Sequence, residues 1–298
     1  MSEPKVPERV FARARQDAET ARTVSSTPQT NHPAYRLAFQ DMDFLLREDL
    51  RPVRFQLELL KPELIFQEAD IGSTFVFYGS ARIPEPEKAQ ALLDQATTDK
   101  ERAIAQRLVE KSRYYDVARE LARLVSLHPC DEHGKRQFVV CSGGGPSIME
   151  AANRGAADVG AESVALNIVL PHEQAPNPYV TPRLSMQFHY FALRKMHFLL
   201  HARALAAFPG GFGTFDELFE LLTLIQTKKI DPIPVLLFGR DFWNRVINFE
   251  ALVEEGVIAE RDLSIFTIVE TAEEAWNVVR RFYGGNDDAA PGTGTLCG

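Results

Sequence analysis

Cysteine is scarce in this chain. Cys130, Cys141 and Cys297 are an odd number without a Cys-x-x-Cys pair, so spacing alone writes no redox or zinc motif. A signal-peptide apolar core and an 18-residue apolar run are both lacking, which makes the cytoplasm the expected compartment and a membrane an unexpected partner. Positive charge is also short: 33 Lys and Arg against 41 Asp and Glu leave a formal charge of −8, and the pI is near 5.5. With no basic stripe or aromatic–basic interleaving, a nucleic-acid polymer is not an expected partner. Any affinity for phosphate must be local. No Gly-x-Ser-x-Gly elbow and no Ser–His–Asp order appear, so covalent acyl chemistry is not expected. There is no internal repeat, and no low-complexity tract beyond the C-terminal tail.

What the chain does have is 45% hydrophobic residues over 298 positions, enough for one substantial core with accessory helices. Short β-rich runs at 74–78, 137–141, 163–169, 203–208, 234–238 and 264–268 alternate with helical periodicity. That alternation predicts an α/β fold, a doubly wound Rossmann-like parallel sheet. Residues 1–32, charged and rich in Ser, Thr and Pro, read as a mobile segment, and 33–71 as a helical extension of two or three helices divided by Pro52 and Pro62. Residues 72–283 hold the Rossmann-like domain, and 284–298 a disordered tail. Within 85–128 the charged run from Thr97 to Arg102 is expected to break the helix, and 241–254 reads as one helix. Cys141, on a strand, is expected to be a small packing residue, and Cys297 an exposed one.

The most informative stretch is Pro209-Gly210-Gly211-Phe212-Gly213-Thr214-Phe215-Asp216-Glu217. An apolar run precedes it, and Leu218, Leu221, Leu222 and Ile225 follow at helical spacing, so it is a strand end, a glycine loop and a helix start. Glycine lets an anion approach the backbone, and the first helical turn supplies free N–H donors. Gly210, Gly211, Gly213 and Thr214 are therefore candidate phosphate ligands. Thr214-Phe-Asp-Glu217 equally matches a capping box, in which Glu217 only reaches back to the cap amide. The loop is neither of the common phosphate loops: it lacks the Lys-Ser/Thr of a Walker motif, and Phe215 replaces the third glycine of a dinucleotide fingerprint.

Two further strands end in small-residue turns, at Gly79-Ser80-Ala81-Arg82 and at Ser142-Gly143-Gly144-Gly145-Pro146, the latter opening a helical run with Met149. In an open parallel sheet such turns gather at the carboxyl edge, where a topological switch point makes a crevice. Three together point to one shared site.

With Gly144-Gly145 and Met149, then Arg194-Lys195-Met196, then the Pro209–Glu217 string, the chain resembles the LOG (Lonely guy) family, often mislabelled lysine decarboxylases. The resemblance covers roughly 72–283. It implies a nucleoside 5′-monophosphate phosphoribohydrolase that splits the N-glycosidic bond to give free base and ribose 5-phosphate, acting on AMP (an AMP nucleosidase) or cytokinin riboside monophosphates. It implies no cofactor and a homo-oligomer, a dimer or larger. Ser-Ile-Met-Glu-Ala stands where short plant-type members have Gly-Leu-Met-Gly, and the extra sequence at the N-terminus and at 84–112 resembles the longer bacterial subgroup. A pyridoxal-phosphate decarboxylase would need a Schiff-base lysine with a pyridinium partner, and beyond Lys195 nothing in the chain supports one.

Cleaving a ribosyl–base bond passes through an oxocarbenium-like transition state and calls for a carboxylate to stabilise it or to activate water. By the resemblance that catalytic role falls to Glu217. A carboxylate beside a bound phosphate needs a cation to reconcile them, and the family motif offers Arg194, whose planar fork suits both groups. Gly79, Ser80, Gly144, Gly145, Met149 and Lys195 complete the candidate substrate-binding set, with Lys195 turned about 100° from Arg194 on the helix. His197 and His201 lie four apart without the Glu of His-Glu-x-x-His, and no third ligand stands out, so a packed pair rather than a metal site is expected. His172 is scattered, while His189, just before the arginine helix, is a weaker candidate for the base or phosphate side. A nucleotide-binding carrier or sensor on the same scaffold is the alternative function.

Overall fold

The computed structural model describes residues 11–171 and 175–284; expectations for 1–10, His172 and the tail with Cys297 lie outside them. The chain divides into two compact units, Met1–Glu58 and Leu59–Gly298. Among the described residues the first unit buries no side chain completely. It holds helices α1 (Ala14–Ala21) and α2 (Met42–Leu45) and the start of α3 (Arg51–Glu68). The prolines do not divide α3. Pro52 sits in its first turn, where the lost amide has no helical acceptor. Pro62 lies inside the helix, on the turn that buries Pro62 and Phe66, so packing holds a turn that propensity alone would break.

The second unit is built on seven strands: β1 Thr74–Tyr78, β2 Val139–Ser142, β3 Val164–Ile168, β4 Ser185–Phe188, β5 Ala202–Ala207, β6 Val235–Phe238 and β7 Phe266–Val269. All pairings are parallel, in the order β4-β3-β2-β1-β5-β6-β7. The helices are α4 (Pro86–Asp94), α5 (Asp99–Ser126), α6 (Ile148–Ala157), α7 (Phe191–Leu200), α8 (Phe212–Gln226), α9 (Arg240–Val246), α10 (Phe249–Glu254) and α11 (Ala272–Phe282). This is the doubly wound Rossmann-like sheet.

Strand alternation sorts the core. Phe75 and Phe77 of β1 pack with Tyr115 and Leu121 of α5, Ala151 of α6 and Trp276 of α11. Val76 and Tyr78, pointing the other way, pack with Phe198 of α7, Leu218 and Leu221 of α8 and Trp243 of α9. Cys141 is buried in that second layer. α5 and α6 cross so closely that a Cβ on Gly155 would lie 2.0 Å from the Arg119 carbonyl oxygen.

Besides the undivided α3, two expectations are corrected and one strand is new. The break before α5 is shorter than the charged run, because Thr98 and Glu101 form a capping box that starts the helix at Asp99. The 241–254 segment is two helices, the second begun by Asn248, whose side chain accepts from the Ala251 amide. β4 had no counterpart among the β-rich runs: it is a four-residue edge strand with alternating burial.

Candidate active site

The switch point falls between β1 and β5, from which the chain winds outward in both directions, and the turns after both strands open on one cavity of about 990 Å³. The β1 turn contributes Tyr78, Gly79, Ser80 and Arg82; the β2 turn and α6 contribute Gly143 and Met149; α7 contributes Phe191, Arg194 and Phe198. The loop after β5 and the start of α8 supply Gly211, Phe212, Gly213, Thr214, Asp216 and Glu217, and Val246 and Ile247 close one side. Gly210, Gly144, Gly145 and Lys195 do not line it.

The α8 N-terminus decides between the two readings of the glycine loop. Helix α8 starts at Phe212 with Gly211 as its N-cap, so Thr214 is three residues inside and Glu217 six. A Thr214–Glu217 capping box does not form. The first intrahelical bond is Phe215 N–H to the Gly211 carbonyl, 3.1 Å, which leaves the Phe212, Gly213 and Thr214 amides without helical acceptors. A Cβ on Gly211 or Gly213 would meet nothing within 4 Å, so the backbone at these two glycines borders open space, and the cavity is lined by Gly211, Phe212, Gly213 and Thr214. Gly210 has another task. A Cβ there would stand 2.1 Å from Thr214 Oγ1, so its absence lets Thr214 fold back and bury. Phe212 is 95% exposed at the rim.

Arg194 is fixed from below. Its Nε donates to the Leu166 carbonyl of β3 at 2.7 Å, and its guanidinium lies over the Phe198 ring, 5.1 Å from the centroid. Gly143 makes room for it: a Cβ would lie 2.8 Å from Arg194 Nη2 and 2.9 Å from Met149 Sδ. Gly144 and Gly145 shape the turn instead. Both carbonyls accept from the Asn177 side chain, at 3.2 and 3.1 Å, and Gly144 has φ +73° with Asn167 Oδ1 2.5 Å from where a Cβ would be. Lys195 turns to α8, its Nζ 2.9 Å from Asp216 Oδ1 and 3.0 Å from Glu220 Oε2.

Glu217 is 7% exposed. Burial pushes its carboxyl up to about 7, with Arg194 and Lys195 pulling down and Asp216 and Glu220 pushing up. A carboxyl poised near neutrality, open to a cavity, is suited to taking a proton at physiological pH.

The histidine pair faces a partner that sequence reading missed. Glu63 of α3 lies 3.0 Å from His201 Nε2 and 3.5 Å from His197 Nδ1. Among the described residues no three His, Cys, Asp or Glu side chains are placed so that they could hold a metal ion, and no helix is long and apolar enough to cross a membrane. His189 stacks edge-on against Tyr190 at 4.5 Å and does not line the cavity. Tyr78, Gly143 and the Phe191–Phe198–Phe212 wall were not among the expected site residues. Tyr78 alone carried a signal, a hydroxyl ending an otherwise apolar buried strand.

Residues 149–279, from the start of α6 into α11, match the family model described as "possible lysine decarboxylase". Over 168 residues the chain is 28% identical to the cytokinin riboside 5′-monophosphate phosphoribohydrolase LOG4 of Arabidopsis thaliana, covering 55% of this chain and 74% of the relative. The matched part of the chain is similar to LOG phosphoribohydrolases. The rice LOG phosphoribohydrolase (Oryza sativa subsp. japonica) is 30% identical over 168 residues, 55% of this chain and 65% of that one. The pyrimidine/purine nucleotide 5′-monophosphate nucleosidase of Escherichia coli K12 is 32% identical over 116 residues, 36% of this chain and 25% of the nucleosidase. Phosphoribohydrolase and nucleosidase are thus the activities named for these relatives. Among solved structures, TM1055 covers 70% of this chain at 20% identity with a TM-score of 0.42. The molybdenum cofactor carrier protein of Chlamydomonas reinhardtii covers 71% at 17% identity with a TM-score of 0.41.

Proposed function

We propose that this protein hydrolyses the N-glycosidic bond of a nucleoside 5′-monophosphate, AMP being the first substrate to try. The observation that carries the reading is one cavity lined by three residues of a helix N-terminus whose amides have no helical acceptors, by Arg194 and by a buried carboxyl poised near pH 7. The amides of Phe212, Gly213 and Thr214 receive the phosphate, aided by the α8 dipole. Arg194 stands between the phosphate's charge and that of Glu217, offering donors to both. Phe191 and Phe212, both exposed on the cavity wall, give apolar and stacking surface for a base.

Glu217, ionised, takes a proton from water as the water oxygen bonds to C1′. The C1′–N bond breaks, its electron pair goes to the base nitrogen, and the proton held by Glu217 returns to the departing base. One water is consumed and ribose 5-phosphate and free base leave, so the reaction balances without a cofactor. Lys195 pairs with Asp216 and Glu220, and its positive charge offsets the upward push of those two carboxylates on Glu217. A homo-oligomer remains the family-based expectation for the assembly.

The test is chromatography of AMP, GMP, CMP, UMP and isopentenyladenosine monophosphate after incubation with the protein. Release of free base and ribose 5-phosphate, lost in Glu217→Gln, supports the reading and names the substrate. Binding without release from any of them refutes it.

A further inference from the structure

One polar group on the cavity wall takes no part in the proposed hydrolysis. Tyr78 ends β1 and is 6% exposed, and its ring is held edge-on to Phe198 of α7 with centroids 5.2 Å apart. It lines the cavity together with Arg194 and Glu217, yet its hydroxyl is buried and makes no hydrogen bond. Buried hydroxyls are almost always paired, and an unpaired one costs stability. Phenylalanine, already used at 75 and 77 of the same strand, would fill the same space without that cost.

We infer that Tyr78 is a positioning residue for Glu217: its hydroxyl donates to the Glu217 carboxylate when that group ionises, fixing the oxygen that takes the proton. The chemistry of the surroundings agrees. The groups acting on Tyr78 are Glu217 and Glu220 of α8, Arg194 of α7 and Cys141 of β2; those acting on Glu217 also include Lys195 and Asp216. Lys195 already pairs with Asp216 and Glu220, and Arg194 is shared with the β3 carbonyl and the phosphate seat. Burial and the neighbouring carboxylates hold the Tyr78 hydroxyl well above its usual range, so it remains a donor at every working pH. A hydrogen bond to the charged form of a buried carboxyl lowers the pH at which it ionises.

The titration arm of the test needs only the cavity, whereas the kinetic arm rests on the hydrolase reading. Tyr78→Phe removes one oxygen. In protein labelled at the glutamate carboxyl carbon, the Glu217 resonance, assigned by its loss in Glu217→Gln, is expected to titrate about one pH unit higher in Tyr78→Phe than in the parent. With AMP, kcat at pH 7 is expected to fall about ten-fold while KM changes less than about two-fold, and the rising limb of the pH profile to move up with the titration. The melting temperature is expected to hold or rise, because an unpaired buried hydroxyl is removed. A folded Tyr78→Phe protein with an unchanged Glu217 midpoint overturns the inference, as does a lowered melting temperature with unchanged titration, which would mark a structural hydroxyl. If neither protein releases base from any nucleotide, the hydrolase reading falls and the titration still decides Tyr78.

Discussion

Replacing Glu217 by Gln should stabilise the fold at alkaline pH and not at acid pH, and the size follows from burial. In the unfolded chain the carboxyl titrates near its ordinary 4.5, and in the fold near 7. Below 4.5 it is neutral in both states and costs nothing extra. Between 4.5 and 7 the folded chain binds the additional proton, so stability falls as pH rises through this window, and above 7 the full cost of a buried charge is present. At about 1.36 kcal/mol per pH unit the cost is about 3 kcal/mol. For a domain of this size, 1 kcal/mol moves the melting temperature roughly 2–4 °C, so the advantage of Glu217→Gln should widen by roughly 5–10 °C between pH 5 and pH 8. Glutamine's own burial cost does not vary with pH and cancels in this difference. Thermal melts of both proteins at half-unit pH steps provide the assay. A gap independent of pH, or one that narrows as pH rises, would refute the claim that burial dominates at Glu217. The same substitution should remove turnover, which would make this a site that gives up stability for a usable base.

The activity of the unmodified protein should rise as pH increases through about 7, roughly ten-fold from pH 6 to pH 8, checked by kcat/KM for base release in a constant-ionic-strength buffer series. Arg194→Ala should raise KM for the monophosphate at least ten-fold and slow turnover. The parent's preference for the monophosphate over the nucleoside, read by calorimetric binding, should shrink with it. Gly210→Ala should destabilise the protein by about 2 kcal/mol in denaturant unfolding, because its Cβ would stand 2.1 Å from Thr214 Oγ1.

Much of this protein was written in local sequence. Six of the seven strands announce themselves as short apolar runs, and their alternation with helices left a parallel, doubly wound sheet as the economical fold. The Gly210–Glu217 string could be picked out because glycines at a strand-to-helix turn answer a specific demand of an anion site, whereas Arg194 and the role of Glu217 came with the resemblance to LOG proteins. What local sequence left open was which of two physical states each group occupies. Thr214 and Glu217 fit a capping box as well as a catalytic loop, and only the helix start at Phe212 separates them, since it puts the N-cap three residues before Thr214. Lys195 and Arg194 are neighbours in sequence, yet the rotation between them sends one to Asp216 and Glu220 and the other toward the cavity. The tasks of Gly143 and Gly210 depend on side chains that arrive from elsewhere in the fold or curl back on it, and β4 depends on an edge provided by β3. Sequence determined which elements form and which residue types meet at the carboxyl edge of the sheet. Tertiary structure alone decided burial, and with it the proton affinity of Glu217 and the idle hydroxyl of Tyr78, because both depend on how much water neighbouring elements exclude.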